Sequence, residues 1–193
     1  FVELNDKDEF VLTTNLYSTE SMALQVSRTF VNADIFTLID EASLQIRYDL
    51  GIQTGHIETT PDLPFKDIST SSLEAFKNFS IGAGYAFSGN FEETIPYLEK
   101  AVEIDETFAL AYLILQGSYV MTNQGQKRLA SINKCMEYLY KLPERYHYLP
   151  KLIYFSIKQD MEKVTQTMDM HLDLFPYDMQ AREISTQLLL SQG

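Results

Sequence analysis

One spacing recurs three times between Ser71 and the C-terminus, and it limits the fold of this 193-residue chain more than any other feature. The first copy reads Asn78-x2-Ile81-Gly82-x2-Tyr85, then Thr94-x3-Leu98-x2-Ala101. The second reads Tyr112-x2-Leu115-Gln116-x2-Tyr119, then Arg128-x3-Ile132-x2-Cys135. The third reads Tyr148-x2-Lys151-Leu152-x2-Phe155, then Val164-x3-Met168-x2-His171, closing on Pro176. Ala101 to Cys135 is 34 residues and Cys135 to His171 is 36. Three- and four-residue intervals put these side chains on single faces of successive helices. Each copy is therefore a helix-turn-helix unit that stacks on its neighbours.

A period near 34 with large, small and aromatic residues at these offsets is similar to the tetratricopeptide (TPR) signature. That resemblance implies a mainly α fold, a TPR α-solenoid of three repeats, with protein binding on its concave side. Helices are predicted near 71–87, 91–104, 108–122, 126–141, 144–158, 161–174 and 178–190, the last an unpaired capping helix. Gly89-Asn90 and Asn123 to Gly125 form the turns inside the first two repeats. Pro96 falls in a second helical turn and should bend that helix slightly. Leu142-Pro143 lengthens the link to the third repeat. Thr94, Arg128 and Val164 replace the small alanine where paired helices approach most closely; Arg128 and Val164 imply wider packing or a shifted register.

The period differs before Ser71. Phe10, Leu12, Thr14 and Leu16 alternate with Val11, Thr13, Asn15 and Tyr17, as a strand requires. Ser18-Thr19-Glu20-Ser21 reads as a turn, a second strand starts at Met22, and Phe1–Leu4 reads as a third. The prediction is a small antiparallel β-meander. Ile35, Leu38, Ile39, Ala42, Ile46 and Leu50 then mark one helix, with Asp34 as N-cap and Gly51 as C-cap. Residues 52–70, with Gly55, Pro61 and Pro64, read as an extended but ordered connector that buries Leu63 and Phe65.

Several residues in this part resemble the TolB-like domain that precedes TPR arrays in bacterial signalling proteins. They are Asn5-Asp6-Lys7-Asp8-Glu9, the strand from Phe10 to Tyr17, and Ala33-Asp34-Ile35-Phe36-Thr37-Leu38-Ile39-Asp40-Glu41. Thr70 to Ala75 and Leu142-Pro143-Glu144-Arg145 are similar to family motifs at the start of the first repeat and between the second and third. The resemblance implies a partial TolB-like β-β-β-α segment over 1–51, a connector over 52–70 and the array over 71–193. It further implies a regulatory or scaffolding role beside a kinase, cyclase or winged-helix output module. The chain starts without methionine inside a strand-like pattern, and reads as a piece of a longer protein.

The predicted groove is lined by the inward positions of each first helix. These are Phe76, Phe79, Ala83, Ala86 and Phe87; then Leu110, Leu113, Gly117, Val120 and Met121; then Tyr146, Leu149, Ile153 and Ser156. Such a lining suits an apolar segment of a protein or peptide. The competing reading is that these residues are buried by neighbouring repeats, by the connector or by the TolB-like segment. Some TPR domains clamp a peptide carboxylate with Lys and Asn here; Phe, Leu and Ala supply no such donors. Homodimerisation, through the groove or a sheet edge, is the alternative function.

Catalysis and cofactors find no support. No Walker loop, GxGxxG or G-x-S-x-G is present, and Gly82-Ala83-Gly84 lies inside a helix. His56, His147 and His171 have no ligand spacing, and Asn5 to Glu9 lacks the glycine and distal glutamate of a calcium loop. Cys135, the single cysteine, fills a small-residue position and is predicted buried and inert. A net charge of −12 opposes nucleic acid. No apolar run spans a membrane. The cysteine content suits a cytoplasm and the resemblance suits a periplasm, so the compartment stays open.

Overall fold

The structure, a computed structural model, describes residues 2–59 and 63–192. The predicted positions Phe1 and Pro61 lie outside these residues, as does the side chain of His56. The chain divides into two compact units, Phe1–Leu73 and Glu74–Gly193.

In the first unit, β1 (Val2–Leu4), β2 (Phe10–Tyr17) and β3 (Leu24–Asn32) form an antiparallel sheet in the order β1-β2-β3. Asn5 Oδ1 accepts the backbone N–H groups of Lys7 and Glu9 and so shapes the first turn. The second turn passes through Met22 at φ 55°, so β3 starts at Leu24 and not at Met22. Phe10 pairs with Asn32, Leu12 with Phe30 and Leu16 with Val26, which places their side chains on one face. Helix α1 (Ile35–Asp49) covers that face. Asp34 caps it by accepting from the N–H groups of Phe36 and Thr37, and Gly51 follows its end at φ 74°. Arg28 of β3 donates to Asp49 of α1 at 2.7 Å, joining sheet and helix.

The connector is not extended. It holds two short helices, α2 (Thr54–Thr59) and α3 (Phe65–Ile68). Asp40 of α1 accepts the backbone N–H of Phe65 at 2.9 Å, and Phe65 stacks on Phe36. Ile57 is buried, Phe65 is half-buried and Leu63 is 60% exposed, so the expected burial of Leu63 is wrong. A cavity of about 400 Å³ explains this: Leu63, Leu44, Ile57 and Phe65 are among its walls, and Leu63 faces an opening where packed neighbours were expected.

The second unit is helical: α4 (Leu73–Phe87), α5 (Phe91–Ile104), α6 (Ala109–Met121), α7 (Gly125–Glu137), α8 (Tyr148–Ile157), α9 (Met161–Leu174) and α10 (Met179–Gln192). Two predicted helices are shorter than expected. α7 ends at Glu137 and gives way to a 3-10 turn at Leu139–Lys141, and Glu144–Tyr146 is another 3-10 turn before α8. Leu142-Pro143 is the cause, since proline keeps its preceding residue extended, and Leu142 has ψ 146°. The turns inside the repeats share one geometry. Gly89, Asn123 and Gln159 all have left-handed φ, near 57–77°. The next residue's N–H reaches back in each case: Asn90 to Tyr85 O, Gln124 to Tyr119 O and Asp160 to Phe155 O.

The core is a series of clusters handed from one repeat to the next. Ala75, Ala101, Phe108 and Ala111 form one, and Ile95, Leu98, Leu115 and Tyr119 the next. Ala109, Ile132, Cys135 and Leu142 follow, then Tyr148, Leu152, Val164, Met168 and Ala181. Each cluster draws on adjacent hairpins, the arrangement expected of a quasi-one-dimensional fold.

Candidate functional site

The positions predicted to face inward on the first helix of each repeat separate by burial. Phe79 lies 4.7 Å from Phe108 and 6.4 Å from Phe76 between ring centroids, and packs against the first two clusters. Ala83 is buried. Leu110, Leu113 and Ile153 pack against the Ile132–Cys135 cluster, and Leu149 against the last one. These side chains help hold the array together. Phe87 and Met121, the last residues of α4 and α6, are different, 91% and 60% exposed. Tyr146, 52% exposed, lies in the 3-10 turn before α8 and not on the helix as expected, because Pro143 delays the start of α8. Phe76, Ala86 and Gly117 are half-buried, and Val120 and Ser156 exposed. No charged side chain stands at any of these positions.

Helix closure sets where these residues stand, and each repeat closes differently. In the first, a Cβ on Gly82 would meet Leu98 Cγ at 2.8 Å, so only glycine lets α4 and α5 approach this closely. Thr94 is fully buried there, its hydroxyl donating to Asn90 O. In the second, Arg128 Nε donates to Gln116 Oε1 at 3.2 Å; a hydrogen-bonded pair replaces the small contact. In the third, Leu152 and Val164 are both buried in one cluster.

The third repeat also contains a polar lock that sequence reasoning missed. His171 is buried at the position of Ala101 and Cys135, stacked 3.9 Å from Tyr148. Its Nε2–H donates to the Asp178 carboxylate at 3.1 Å, whose other oxygen accepts the Ala181 N–H at the start of α10. Arg145 lies 3.4 Å from the same carboxylate. The Ala181 N–H, with His171 and Arg145, holds the Asp178 pKa below the ordinary carboxylate value. The signal was present, as an Asp directly before a helix is a capping residue. Its link to His171 needed coordinates.

Elsewhere Glu99 accepts from Tyr119 Oη at 2.7 Å and Lys127 Nζ at 2.8 Å, and burial raises the Tyr119 pKa. Cys135 is buried, its thiol pushed up to about 12 by desolvation. His147 Nε2–H donates to Leu142 O at 2.7 Å. Among the described residues, no group of three or more His, Cys, Asp or Glu is placed to hold a metal. No helix among them is long and apolar enough to cross a membrane.

No family model and no curated protein sequence matches this chain. Solved structures do. The first TPR of Spaghetti (RPAP3), bound to the HSP90 peptide SRMEEVD, is 15% identical, with 63% of this chain and 97% of that chain covered and a TM-score of 0.51. The first TPR domain of human RPAP3 is 14% identical, covering 62% and 92%, with a TM-score of 0.50. MamA is 16% identical, covering 78% and 84%, with a TM-score of 0.48. At such identities the likeness is one of fold. The chain carries TPR-like helical repeats, with a small three-stranded antiparallel sheet at its N-terminal end.

Proposed function

We propose that this chain is a non-enzymatic protein-interaction module whose inward helix positions bind an apolar segment of a protein or peptide. The observation that carries this is the exposure of Phe87 and Met121, which end α4 and α6 at matching positions of the first two repeats. A phenylalanine left 91% in water gains free energy when covered, at roughly 25 cal/mol per Å². The RPAP3 domain bound to an acidic HSP90 peptide supports the mode of use but not the ligand: the present row has no cation to pair with a carboxylate. The context of this reading is a regulatory or scaffolding region of a larger bacterial signalling or transcription-regulating protein, and the resemblance of Asn5 to Glu9 and Ala33 to Glu41 to a TolB-like domain supports it. Homodimerisation through the same exposed residues is the alternative.

A displayed peptide library selected on the whole chain tests the reading. Apolar sequences should be enriched, and their affinity should change less than about two-fold between about 50 and about 500 mM salt, since screening acts on charge. Phe87→Ala and Met121→Ala should each weaken them about ten-fold. Selection of acidic-tailed peptides, or indifference to both substitutions, would refute it. Light scattering separates the dimer.

A further inference from the structure

The third repeat holds a cavity of about 140 Å³ between the start of α8 and the second half of α9. Glu144 and Lys151 line it from the α8 side, Met170 and Leu174 from α9. Tyr148 and His171, stacked at 3.9 Å, are also among its walls. Two features set this cavity apart. The first is its charges. The lysines and arginines of α7 and α9 are all engaged: Lys127 by Glu99, Arg128 by Gln116, Lys134 by Glu137 and Lys163 by Asp160. Lys151 is half-buried, yet neither it nor Glu144 has a side-chain partner among the described residues. The two line one cavity and do not close on each other. The second feature is apolar. Met170 and Leu174 stand one turn apart on α9 and remain 66% and 64% exposed.

Size and charge select the ligand. The volume is well below the roughly 300–1,000 Å³ of sites for drug-sized molecules, so the cavity suits a small metabolite. A cation and an anion held apart complement a zwitterion, whereas a ligand of one sign meets its like charge at one end. Glu144 and Lys151 are rooted seven residues apart, roughly 10 Å by helical rise. An ammonium and a carboxylate on one carbon, each hydrogen-bonded to its protein partner, bridge about 8 Å between the two protein charges. An aliphatic side chain on that carbon covers apolar surface that is otherwise in water.

We propose that this cavity binds a free α-amino acid with an aliphatic side chain. Its ammonium meets Glu144, its carboxylate meets Lys151, and its side chain lies against Met170 and Leu174. His147, also at the cavity, is already engaged through Nε2 with Leu142 O at 2.7 Å. Tyr148 and His171 belong both to the cavity and to the lock on α10, so occupancy braces the third repeat. The site is separate from Phe87 and Met121 and does not depend on what they bind.

The test titrates the whole chain with L-leucine, read by calorimetry and amide exchange. Saturable binding is expected, with slower exchange in α8, in α9 and at Ala181. Glycine lacks the side chain, leucinamide the carboxylate and isocaproate the ammonium; each should bind at least about ten-fold more weakly. Lys151→Met keeps the aliphatic stem and should weaken L-leucine about ten-fold while leaving leucinamide unchanged. Glu144→Gln should weaken L-leucine by a similar factor while leaving isocaproate unchanged. Both variants should melt with the wild type, since neither side chain has a partner to lose. No saturable binding of L-leucine, equal binding of the four ligands, or protection confined to other helices would overturn the proposal. So would equal losses of every ligand in both variants, because the two charges would then not be read separately.

Discussion

The first and third repeats share their turn geometry but not the chemistry that closes them. In the first, the small residues Gly82, Thr94 and Ala101 bring two helices close enough for Leu98 to fill the space between them. In the third, the same positions hold Leu152, Val164 and His171, and closure is partly polar, through His171 and Asp178. Shape complementarity and a buried hydrogen-bonded pair are thus interchangeable at one site of one fold. They differ in what disturbs them. A close contact fails when volume changes. A polar lock fails when a partner is removed or protonated.

The largest effect should come from the apolar side. Phe79→Ala should cost about 3–5 kcal/mol in a thermal melt, because that side chain joins two clusters. A small loss would mean that Phe79 belongs to a recognition surface, and the contrast with Phe87 would collapse. Asp178→Ala should cost about 1–3 kcal/mol, leaving a buried His171 N–H without its acceptor and α10 without its cap. This effect depends on pH. A depressed folded-state pKa gives stability that is complete above the ordinary value of 3.8 and lost as pH falls through the folded value. Wild type and Asp178→Ala should therefore differ most above pH 4 or so and converge below it; a constant difference down to about pH 2 would show that the carboxylate charge is irrelevant.

Gln159→Gly should stabilise the third repeat by about 1 kcal/mol, since Gln159 holds a left-handed conformation that Gly89 adopts without strain. Gly89→Ala should do the reverse in the first repeat. Phe87→Ala should be the smallest, within about 0.5 kcal/mol, because little of that side chain is packed. Chemical denaturation of each variant decides.

The order of helices and their turns was legible because periodicity and turn residues are local. The repeat spacing located α5 and α9 to the residue, and Gly51 and Asp34 marked the ends of α1. The 3-10 turns around Leu142-Pro143 were half-legible: the proline was visible, but not how far its restriction would shorten α7 and delay α8. The connector misled because Gly55, Pro61 and Pro64 suggested extension, whereas α2 runs through Gly55 and α3 starts directly after Pro64.

What the sequence determined by itself was a repeat of helical hairpins after a short meander, since a 34-residue period and two-residue alternation each admit one kind of element. Tertiary structure alone decided which inward side chains are core and which remain open. Phe79 and Phe87 have the same chemistry on the same helix, yet one reaches Phe108 and the other reaches solvent. Composition and spacing fix the face of a helix. Burial depends on what the next repeat places opposite it, and Arg128 with Gln116, like His171 with Asp178, shows that such partners become neighbours only when the helices pack.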